Sequence, residues 1–132
     1  HDALPISIEL FITKDNKVIV NELAPRPHNS GHYTIEACSF DQFDAHIRGI
    51  AGWPLEQPQL LKPAVMVNVL GQHVAPTRAL IADHPEWNVH DYCKAEVRHD
   101  RKMGHITVLT DDTAKTVADL EATGCWDDLK KA

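Results

Sequence analysis

The stretch LPISIELFITKDNKVIVNEL, residues 4–23, decides the fold of the first part of the chain. Large apolar and β-branched residues fill 4–13 and 18–23, and a polar run separates them. Asp15 and Asn16 within that run tolerate the positive φ that a tight turn requires. The pattern therefore predicts a β-hairpin with a two-residue turn, in which the numbers of paired residues sum to 31.

That register predicts two carboxylates directly opposite each other. Glu9 faces Glu22, and the next residues on the same face, Phe11 and Val20, are apolar. Opposed like charges weaken strand pairing, and burying either one without a partner is costly. A divalent cation between them would remove the conflict, and oxygen ligands suit Mg²⁺. The alternative is an exposed hairpin, or one that slips by one residue, in which the glutamates never meet.

The loop APRPHNSGH, residues 24–32, follows the hairpin. Prolines on both sides of Arg26 restrain its backbone, and a guanidinium pairs with a planar oxyanion such as bicarbonate or carboxylate through two parallel hydrogen bonds. Residues 29–31 are expected to enter a helix whose free N–H groups could receive an anion. The alternative is a rigid turn with an N-cap, in which His28 and His32 are polar surface residues.

The rest of the chain mixes helical and strand patterns without strict βαβ alternation, which predicts an α+β fold or a fragment of a larger α/β fold. The predicted elements are helical character over 33–50 in one piece or two, a proline-rich connector over 53–63, a strand over 64–70 closed by Gly71, a short helix over 76–82, strands over 89–92 and 105–109, and a helix over 111–123 that stops at Gly124.

The segment KAEVRHDRK, residues 94–102, carries four of the 13 basic residues of a chain whose net charge is −6. Such a cluster between two strands indicates a phosphate site, and the alternative is a solvated charge run. The acidic balance argues against general nucleic-acid binding, and no apolar run approaches the roughly 20 residues of a membrane helix. Three further histidines lack metal-ligand spacing and are expected at the surface or at strand ends: His73, His84 and His90.

The cysteines and the N-terminus indicate the cellular context. Three cysteines lie far apart without CxxC spacing, which favours free thiols in a reducing cytoplasm. No basic region followed by a long apolar core precedes the first strand, so no signal peptide is expected. Because the chain begins with His1 and a strand pattern starts almost at once, we expect it to be a piece of a longer protein.

Several of these segments together resemble one enzyme family. The segments ELF at 9–11 and NELAPRPHNSGH at 21–32 are similar to the signature of the 5-(carboxyamino)imidazole ribonucleotide synthase family, ATP-grasp enzymes of purine biosynthesis. PAVMVNVLG at 63–71 and RKMGH at 101–105 resemble the same family in the same order. The resemblance implies the C-terminal part of an ATP-grasp fold, with an antiparallel hairpin and sheet, packed helices and a small β-rich subdomain.

The resemblance also implies a division of the chain and a reaction. Residues 1–62 would be the C-terminal half of the ATP-grasp domain, and 63–132 the small C-terminal subdomain. The family joins ATP, bicarbonate and aminoimidazole ribonucleotide to give the N-carboxylated ribonucleotide, ADP and phosphate. The implied roles are Glu9 and Glu22 for the Mg²⁺ that bridges the ATP phosphates, Arg26 and His28 for bicarbonate or carboxyphosphate, Asn29 and Ser30 for the lining of that pocket, and Lys94 and Arg101 for the ribonucleotide phosphate.

The chain departs from the family pattern in two ways. Cys93 stands where glycine is usual, and His99-Asp100 replaces the usual proline-glycine. The family also needs an N-terminal Rossmann-like domain and a lid, which 132 residues cannot hold, so we expect these residues alone to be inactive. The full-length enzyme is expected to be a cytoplasmic homodimer. The alternatives are another ATP-grasp ligase, such as formate-dependent glycinamide ribonucleotide transformylase, and a non-catalytic interaction domain derived from the fold.

Overall fold

A computed structural model describes residues 6–128 of the chain. The chain divides into two compact units, with the boundary between Leu61 and Lys62. Helices and antiparallel strands occur in both units, which confirms the predicted α+β class. None of the helices within 6–128 has the length and apolar character needed to cross a bilayer. The predicted start of the first strand, at Leu4, lies outside the described residues.

The predicted hairpin is present in the first unit as β1 (Ser7–Ile12) and β2 (Val18–Ala24), paired antiparallel. Asn16 has a φ of 58°, as the turn chemistry predicts. The turn is longer than expected. Its closing hydrogen bond runs from the N–H of Thr13 to the carbonyl of Lys17, at 2.9 Å. The loop that joins the strands therefore contains three residues between this closing pair and not two.

The longer turn changes the register next to it. Phe11 pairs with Ile19, and Val20 pairs with Leu10, so the predicted pairing of Phe11 with Val20 is wrong. A β-bulge on the second strand then inserts one extra residue, Asn21, between the pair that contains Leu10 and the next pair. The insertion shifts the pairing by one residue, which returns it to the predicted register further along the strand.

The hairpin buries little of its own apolar surface. Apolar side chains on both of its faces are more than 45% exposed, among them Leu10, Phe11 and Val20. Within the described part of this unit, the fully buried apolar residues are Ala24 and Ala37. A two-stranded hairpin is at best marginally stable in water. Burial of apolar side chains within residues 6–61 therefore contributes little to the stability of the hairpin.

The predicted helical structure follows, and it is divided into two pieces, one of the two arrangements that the sequence left open. Helix α1 (Thr34–Ala37) is a single turn, and helix α2 (Gln42–Ala51) is longer. The Asp41 carboxylate caps α2 by accepting the N–H groups of its second and third residues at 2.7 and 2.9 Å. Gly52, at a φ of 65°, ends α2 in the left-handed conformation that a helix C-terminus favours.

The second unit contains a three-stranded antiparallel sheet with the order β3-β5-β4. Its strands are β3 (Ala64–Leu70), β4 (Asn88–Asp91) and β5 (Lys102–Leu109). The strand predicted over 64–70 is confirmed, and the other two are present with shifted ends. Strand β5 begins three residues earlier than predicted because its first residues pair with the end of β3.

The described part of this unit, up to residue 128, contains two α-helices. Helix α3 (Val74–Leu80) begins two residues before the predicted start at Pro76. A proline is tolerated there because N–H groups in the first turn have no partner within the helix. Helix α4 (Thr113–Ala122) confirms the predicted terminal helix, and Gly124 follows it at a φ of 73°.

The core of the second unit surrounds β5, whose residues 103–108 are all buried. Ile106 is fully buried and packs in a cluster with Trp87, Leu120 and Trp126. The Trp126 indole Nε1–H donates to the carbonyl of Asn68 at 3.0 Å, which satisfies the polar end of that ring. The three cysteines are free thiols, as predicted.

Candidate functional site

The hairpin brings the two predicted carboxylates together. Glu9 and Glu22 are paired across β1 and β2, as the sequence predicted, although the registers near the turn differ. Asn21, the extra residue of the bulge, donates from Nδ2 to Glu9 Oε1 at 2.7 Å. A bulge can redirect a side chain in this way, and here it places an amide donor on one of the two carboxylates.

His28 joins this pair from the loop that follows β2. Its Nε2 lies 3.4 Å from Glu22 Oε2 and 4.0 Å from Glu9 Oε2. The side chain is only 12% exposed, so the alternative interpretation of His28 as a polar surface residue is wrong. The loop therefore delivers an imidazole nitrogen to the two carboxylates of the hairpin.

The orientation of the His28 ring is set by Ser30. The backbone N–H of Ser30 donates to His28 Nδ1, and Ser30 Oγ lies 2.8 Å from the same nitrogen. Because Nδ1 accepts a backbone N–H, the neutral ring carries its proton on Nε2, facing the carboxylates. The expected helix entry at Asn29 is a single 3₁₀ turn, Asn29–Gly31, that His28 itself caps. The N–H of Ser30 is therefore engaged by His28 and is not available to an anion.

Gln42, the first residue of α2, holds the backbone of His28 from the other side. Its Oε1 accepts the His28 N–H at 2.8 Å, and its Nε2 donates to the His28 carbonyl at 2.9 Å and to His32 Nδ1 at 2.8 Å. A Cβ on Gly31 would lie 2.6 Å from Gln42 Oε1, so glycine makes room for this amide. Sequence reasoning missed Gln42 because it lies 14 residues after His28 and forms no motif with it.

Arg26 lies at the exposed edge of the same cluster. Its Nη2 is 3.8 Å from Glu22 Oε1, and its Nη1 donates to the carbonyl of Pro27 at 3.1 Å. The side chain is 62% exposed, so its interaction with the glutamate is screened by water. The guanidinium therefore remains accessible to an anion from solvent.

The three central groups satisfy the spacing of a cation site. One carboxylate oxygen of Glu9, one of Glu22 and a ring nitrogen of His28 all lie within 4.8 Å of one another. Ligands of Mg²⁺ or Ca²⁺ stand about 2.0–2.6 Å from the ion, so two ligands of one ion are at most about 4–5 Å apart. The carboxylate oxygens are the hard donors that both ions prefer. The two carboxylates therefore fit a divalent cation, and the His28 Nε2–H lies beside them.

The predicted phosphate segment lies in the second unit, in the loop that joins β4 to β5. Lys94 donates from Nζ to the carbonyl of Lys102 at 2.5 Å and lies 5.4 Å from the centre of the Tyr92 ring. Arg101 donates from Nη1 to the carbonyl of Glu96 at 3.4 Å. Both predicted residues thus belong to one loop. The carboxylates, Arg26, His28 and Ser30 belong to the first unit.

A cavity of about 150 Å³ borders this loop, and Lys94 and Cys93 contribute to its wall. Asp91, at its rim, accepts a hydrogen bond from Arg78 Nη2 at 2.6 Å and another from the N–H of Cys93 at 2.8 Å. These two donors, with Arg78 the larger effect, hold the pKa of the Asp91 carboxyl below its ordinary value. The second bond helps to stabilise Cys93 at a φ of 51°.

The expectation that His73 lies at the surface is wrong. The residue is 1% exposed, and its Nε2 lies 2.8 Å from Asp128 Oδ1. Hydrogen bonds from Gln72 and His73, in that order of importance, lower the pKa of the Asp128 carboxyl. A buried imidazole of this kind leaves no pattern in the sequence around it.

The chain also matches known families. The ATP-grasp domain matches residues 5–43, and the phosphoribosylaminoimidazole carboxylase C-terminal domain matches residues 64–119. The paired carboxylates of the hairpin lie inside the first of these matches, so the similarity to the ATP-grasp class includes the candidate cation site.

The similarity within that class is more specific. The N5-carboxyaminoimidazole ribonucleotide synthase of Staphylococcus saprophyticus is 54% identical over 111 residues, which are 83% of this chain and 30% of the relative. The crystal structure of N5-carboxyaminoimidazole synthetase from Staphylococcus aureus complexed with ADP is 50% identical, with a TM-score of 0.86, over 89% of this chain and 32% of that one. Over most of its length the chain is therefore similar to enzymes of the N5-carboxyaminoimidazole ribonucleotide synthase family, which confirms the resemblance found in its sequence.

A third similarity concerns a relative with two ligands. The N5-carboxyaminoimidazole synthase from Aspergillus clavatus, in complex with ADP and 5-aminoimidazole ribonucleotide, is 33% identical, with a TM-score of 0.79. It is matched over 89% of this chain and 33% of its own length. The chain thus spans about a third of the length of the relatives it matches.

Proposed function

We propose that this chain forms part of the site of an ATP-dependent carbon–nitrogen ligase that carboxylates aminoimidazole ribonucleotide with bicarbonate in purine biosynthesis. The observation that carries the proposal is the convergence of Glu9, Glu22 and His28 within 4.8 Å. ATP as the nucleotide is supported by the ATP-grasp match and by the ADP bound to the Staphylococcus aureus relative. The ribonucleotide as substrate is supported by the ligands of the Aspergillus clavatus relative.

Glu9 and Glu22 would hold Mg²⁺. Their oxygens are the ligands that this ion prefers, so the His28 imidazole is not needed as a ligand and can bind bicarbonate instead. A cation held by the two glutamates would supply positive charge to offset that of the ATP phosphates during phosphoryl transfer. The Asn21 amide holds Glu9 by its 2.7 Å hydrogen bond, so this carboxylate has one oxygen engaged and one left for a cation.

Arg26 and His28 would hold bicarbonate and the carboxyphosphate formed from it. The Arg26 guanidinium can form two parallel hydrogen bonds to a planar oxyanion, and the His28 Nε2–H can donate a further one. A bicarbonate oxygen attacks the γ-phosphorus, and ADP leaves. Carboxyphosphate then splits into phosphate and CO₂, and the exocyclic amine of the imidazole attacks the carbon and loses a proton. Asn29 and Ser30 would line the same pocket.

Lys94 and Arg101 would bind the phosphate of the ribonucleotide. Both cations lie in the β4–β5 loop, and each now donates to a backbone carbonyl at that loop. A phosphate oxygen is a stronger acceptor than a neutral carbonyl, so these donors can be transferred to a bound ligand. The proposal includes a cytoplasmic location, which free thiols favour, and a homodimer of the full-length enzyme.

The first experiment measures turnover by the full gene product. We expect ADP and an acid-labile carboxylated ribonucleotide to form from ATP, ¹³C-bicarbonate and aminoimidazole ribonucleotide, with each of the three required. Formate with glycinamide ribonucleotide should give no product, and product formation from that pair would favour the rival ligase. Failure to consume ATP under any of these conditions would favour a non-catalytic interaction domain. The 132 residues by themselves should show no turnover, which a measurable rate would contradict.

The second experiment tests the metal ligands without relying on activity. Mn²⁺ binding to the full gene product in the presence of ADP is followed by electron paramagnetic resonance of the free ion. Glu9→Gln and Glu22→Gln should each weaken Mn²⁺ binding by at least about tenfold, since each removes a charged ligand. Glu56→Gln, a change at an exposed glutamate of the connector, is the matched control. Equal Mn²⁺ affinity in the wild type and in all three variants would exclude these carboxylates as ligands.

A further inference from the structure

The side chain of Gln72 holds the loop that joins β4 to β5, which carries the cluster of basic residues. Gln72 lies in a 3₁₀ turn, Gly71–His73, that directly follows β3. Its Oε1 accepts the backbone N–H of Asp100 at 2.9 Å, and its Nε2 donates to Asp100 Oδ1 at 3.0 Å. A single amide therefore contacts both the backbone and the side chain of Asp100, which lies 28 residues away in sequence.

Asp100 needs this support because of its backbone conformation. Its φ is 59°, in the left-handed region that glycine adopts readily and most other residues do not. The N–H of Arg101 donates to the carbonyl of Arg98 at 3.1 Å, which closes a turn with Asp100 as its third residue. A positive φ at the third position is a requirement of the type II turn, where glycine or asparagine is usual. The Gln72 contacts stabilise this conformation in a residue that adopts it less readily than glycine.

Gln72 is itself anchored to a buried group. Its Nε2 donates a second hydrogen bond to Asp128 Oδ2 at 2.9 Å, and Asp128 Oδ1 lies 2.8 Å from His73 Nε2. His73 is 1% exposed, and its Nδ1 accepts the N–H of Leu70, so Nε2 carries the proton that Asp128 accepts. The Gln72 amide is therefore linked through Asp128 to a buried side chain next to the end of β3.

The same two segments are also closely packed against each other. A Cβ on Gly71 would lie 1.9 Å from the carbonyl oxygen of Arg98, which is far closer than real Cβ atoms approach. The backbone of the 3₁₀ turn and the backbone of the loop are thus in direct contact. Close approach and hydrogen bonding together define one position for the turn that ends at Arg101.

We propose that Gln72 is a positioning residue for phosphate binding, and that it acts on Arg101 through the left-handed conformation of Asp100. The inference rests on the proposed function, which assigns Arg101 and Lys94 to the ribonucleotide phosphate. Gln72 contributes no charge to the phosphate. It keeps the turn closed before the ligand arrives, so that the ligand does not have to order the loop.

The test is a double-mutant cycle in the full gene product, with steady-state kinetics as the readout. Gln72→Ala should raise the KM for aminoimidazole ribonucleotide about tenfold, while kcat and the KM for ATP stay within about twofold. Asp100→Gly should suppress that effect, because glycine adopts the turn conformation without help. In the Asp100→Gly background, Gln72→Ala should therefore change the KM by less than about twofold. Gln57→Ala, at an exposed glutamine of the connector, is the matched control.

A conservative variant separates positioning from general loss of structure. Asp100→Asn keeps an acceptor for Gln72 Nε2 and tolerates the left-handed region, so its KM should stay within about twofold of the wild type. If Gln72→Ala raises the KM for aminoimidazole ribonucleotide equally in the wild type and in Asp100→Gly, the proposal is overturned. An unchanged KM in Gln72→Ala would also overturn it if Arg101→Ala raises the KM, and the proposed function would then stand. Unchanged KM values in both Arg101→Ala and Lys94→Ala would instead contradict the proposed phosphate assignment itself.

Discussion

Replacement of Gln42 should release the loop that carries His28. Gln42→Ala removes three hydrogen bonds, two of which pair the N–H and carbonyl of His28 in a partly buried position. A net value of about 1 kcal/mol for each bond, with a partial return of water to the freed groups, gives a loss of about 2 kcal/mol in the stability of the loop. Helix α2 should persist, because alanine favours helices and Asp41 still caps it.

Hydrogen exchange at the amide of Gly31 measures this loss. That N–H donates to the carbonyl of His28 at 2.9 Å, an acceptor that Gln42→Ala leaves in place, so its exchange reports opening of the loop. A loss of about 2 kcal/mol corresponds to exchange about 30 times faster. The amide of Thr13 in the hairpin turn, which donates to the carbonyl of Lys17, is the internal reference and should be unchanged.

Gln42→Glu provides the sharper comparison, because its shape is almost unchanged. The new carboxylate still accepts the His28 N–H, but it places an acceptor against the His28 carbonyl and against His32 Nδ1, where Nε2 now donates. We expect Gly31 exchange at least as fast as in Gln42→Ala. Exchange within about twofold of the wild type in both variants would refute the claim that Gln42 holds this loop.

Three further changes test the second unit. Ile106→Ala, at a fully buried position, should lower the free energy of unfolding by about 2–5 kcal/mol in urea denaturation, and a loss below about 1 kcal/mol would contradict its place in the core. Gly71→Ala should displace the loop backbone at Arg98, so an unchanged backbone chemical shift there would contradict the close contact. Arg78 lowers the pKa of Asp91, so their pair stabilises the fold above about pH 4 and is lost as the pH falls below that. Asp91→Asn should flatten that part of the profile of melting temperature against pH, and an unchanged profile would count against the pair.

Local sequence patterns determined most of the secondary structure. Alternating apolar residues around a polar turn specify a hairpin, and the run over 64–70 specifies a strand, because each depends on neighbours a few positions away. The predicted pairing of Glu9 with Glu22 is right because two errors cancel. The turn is one residue longer than predicted, and the bulge at Asn21 compensates for it. Turn length and bulges depend on backbone details that apolar periodicity does not encode.

Only the tertiary structure decided which side chains hold the loop at His28 and the loop at Asp100. Gln42 and Gln72 act over 14 and 28 residues, and their amides bond to backbone groups that every residue type carries. Buried His73 is paired in the same way with Asp128, which lies 55 residues away. Such contacts have no period and no fixed spacing, because they arise where the packing of whole elements brings a donor to an acceptor. The sequence therefore identifies the groups suited to the chemistry, and packing determines how they are held.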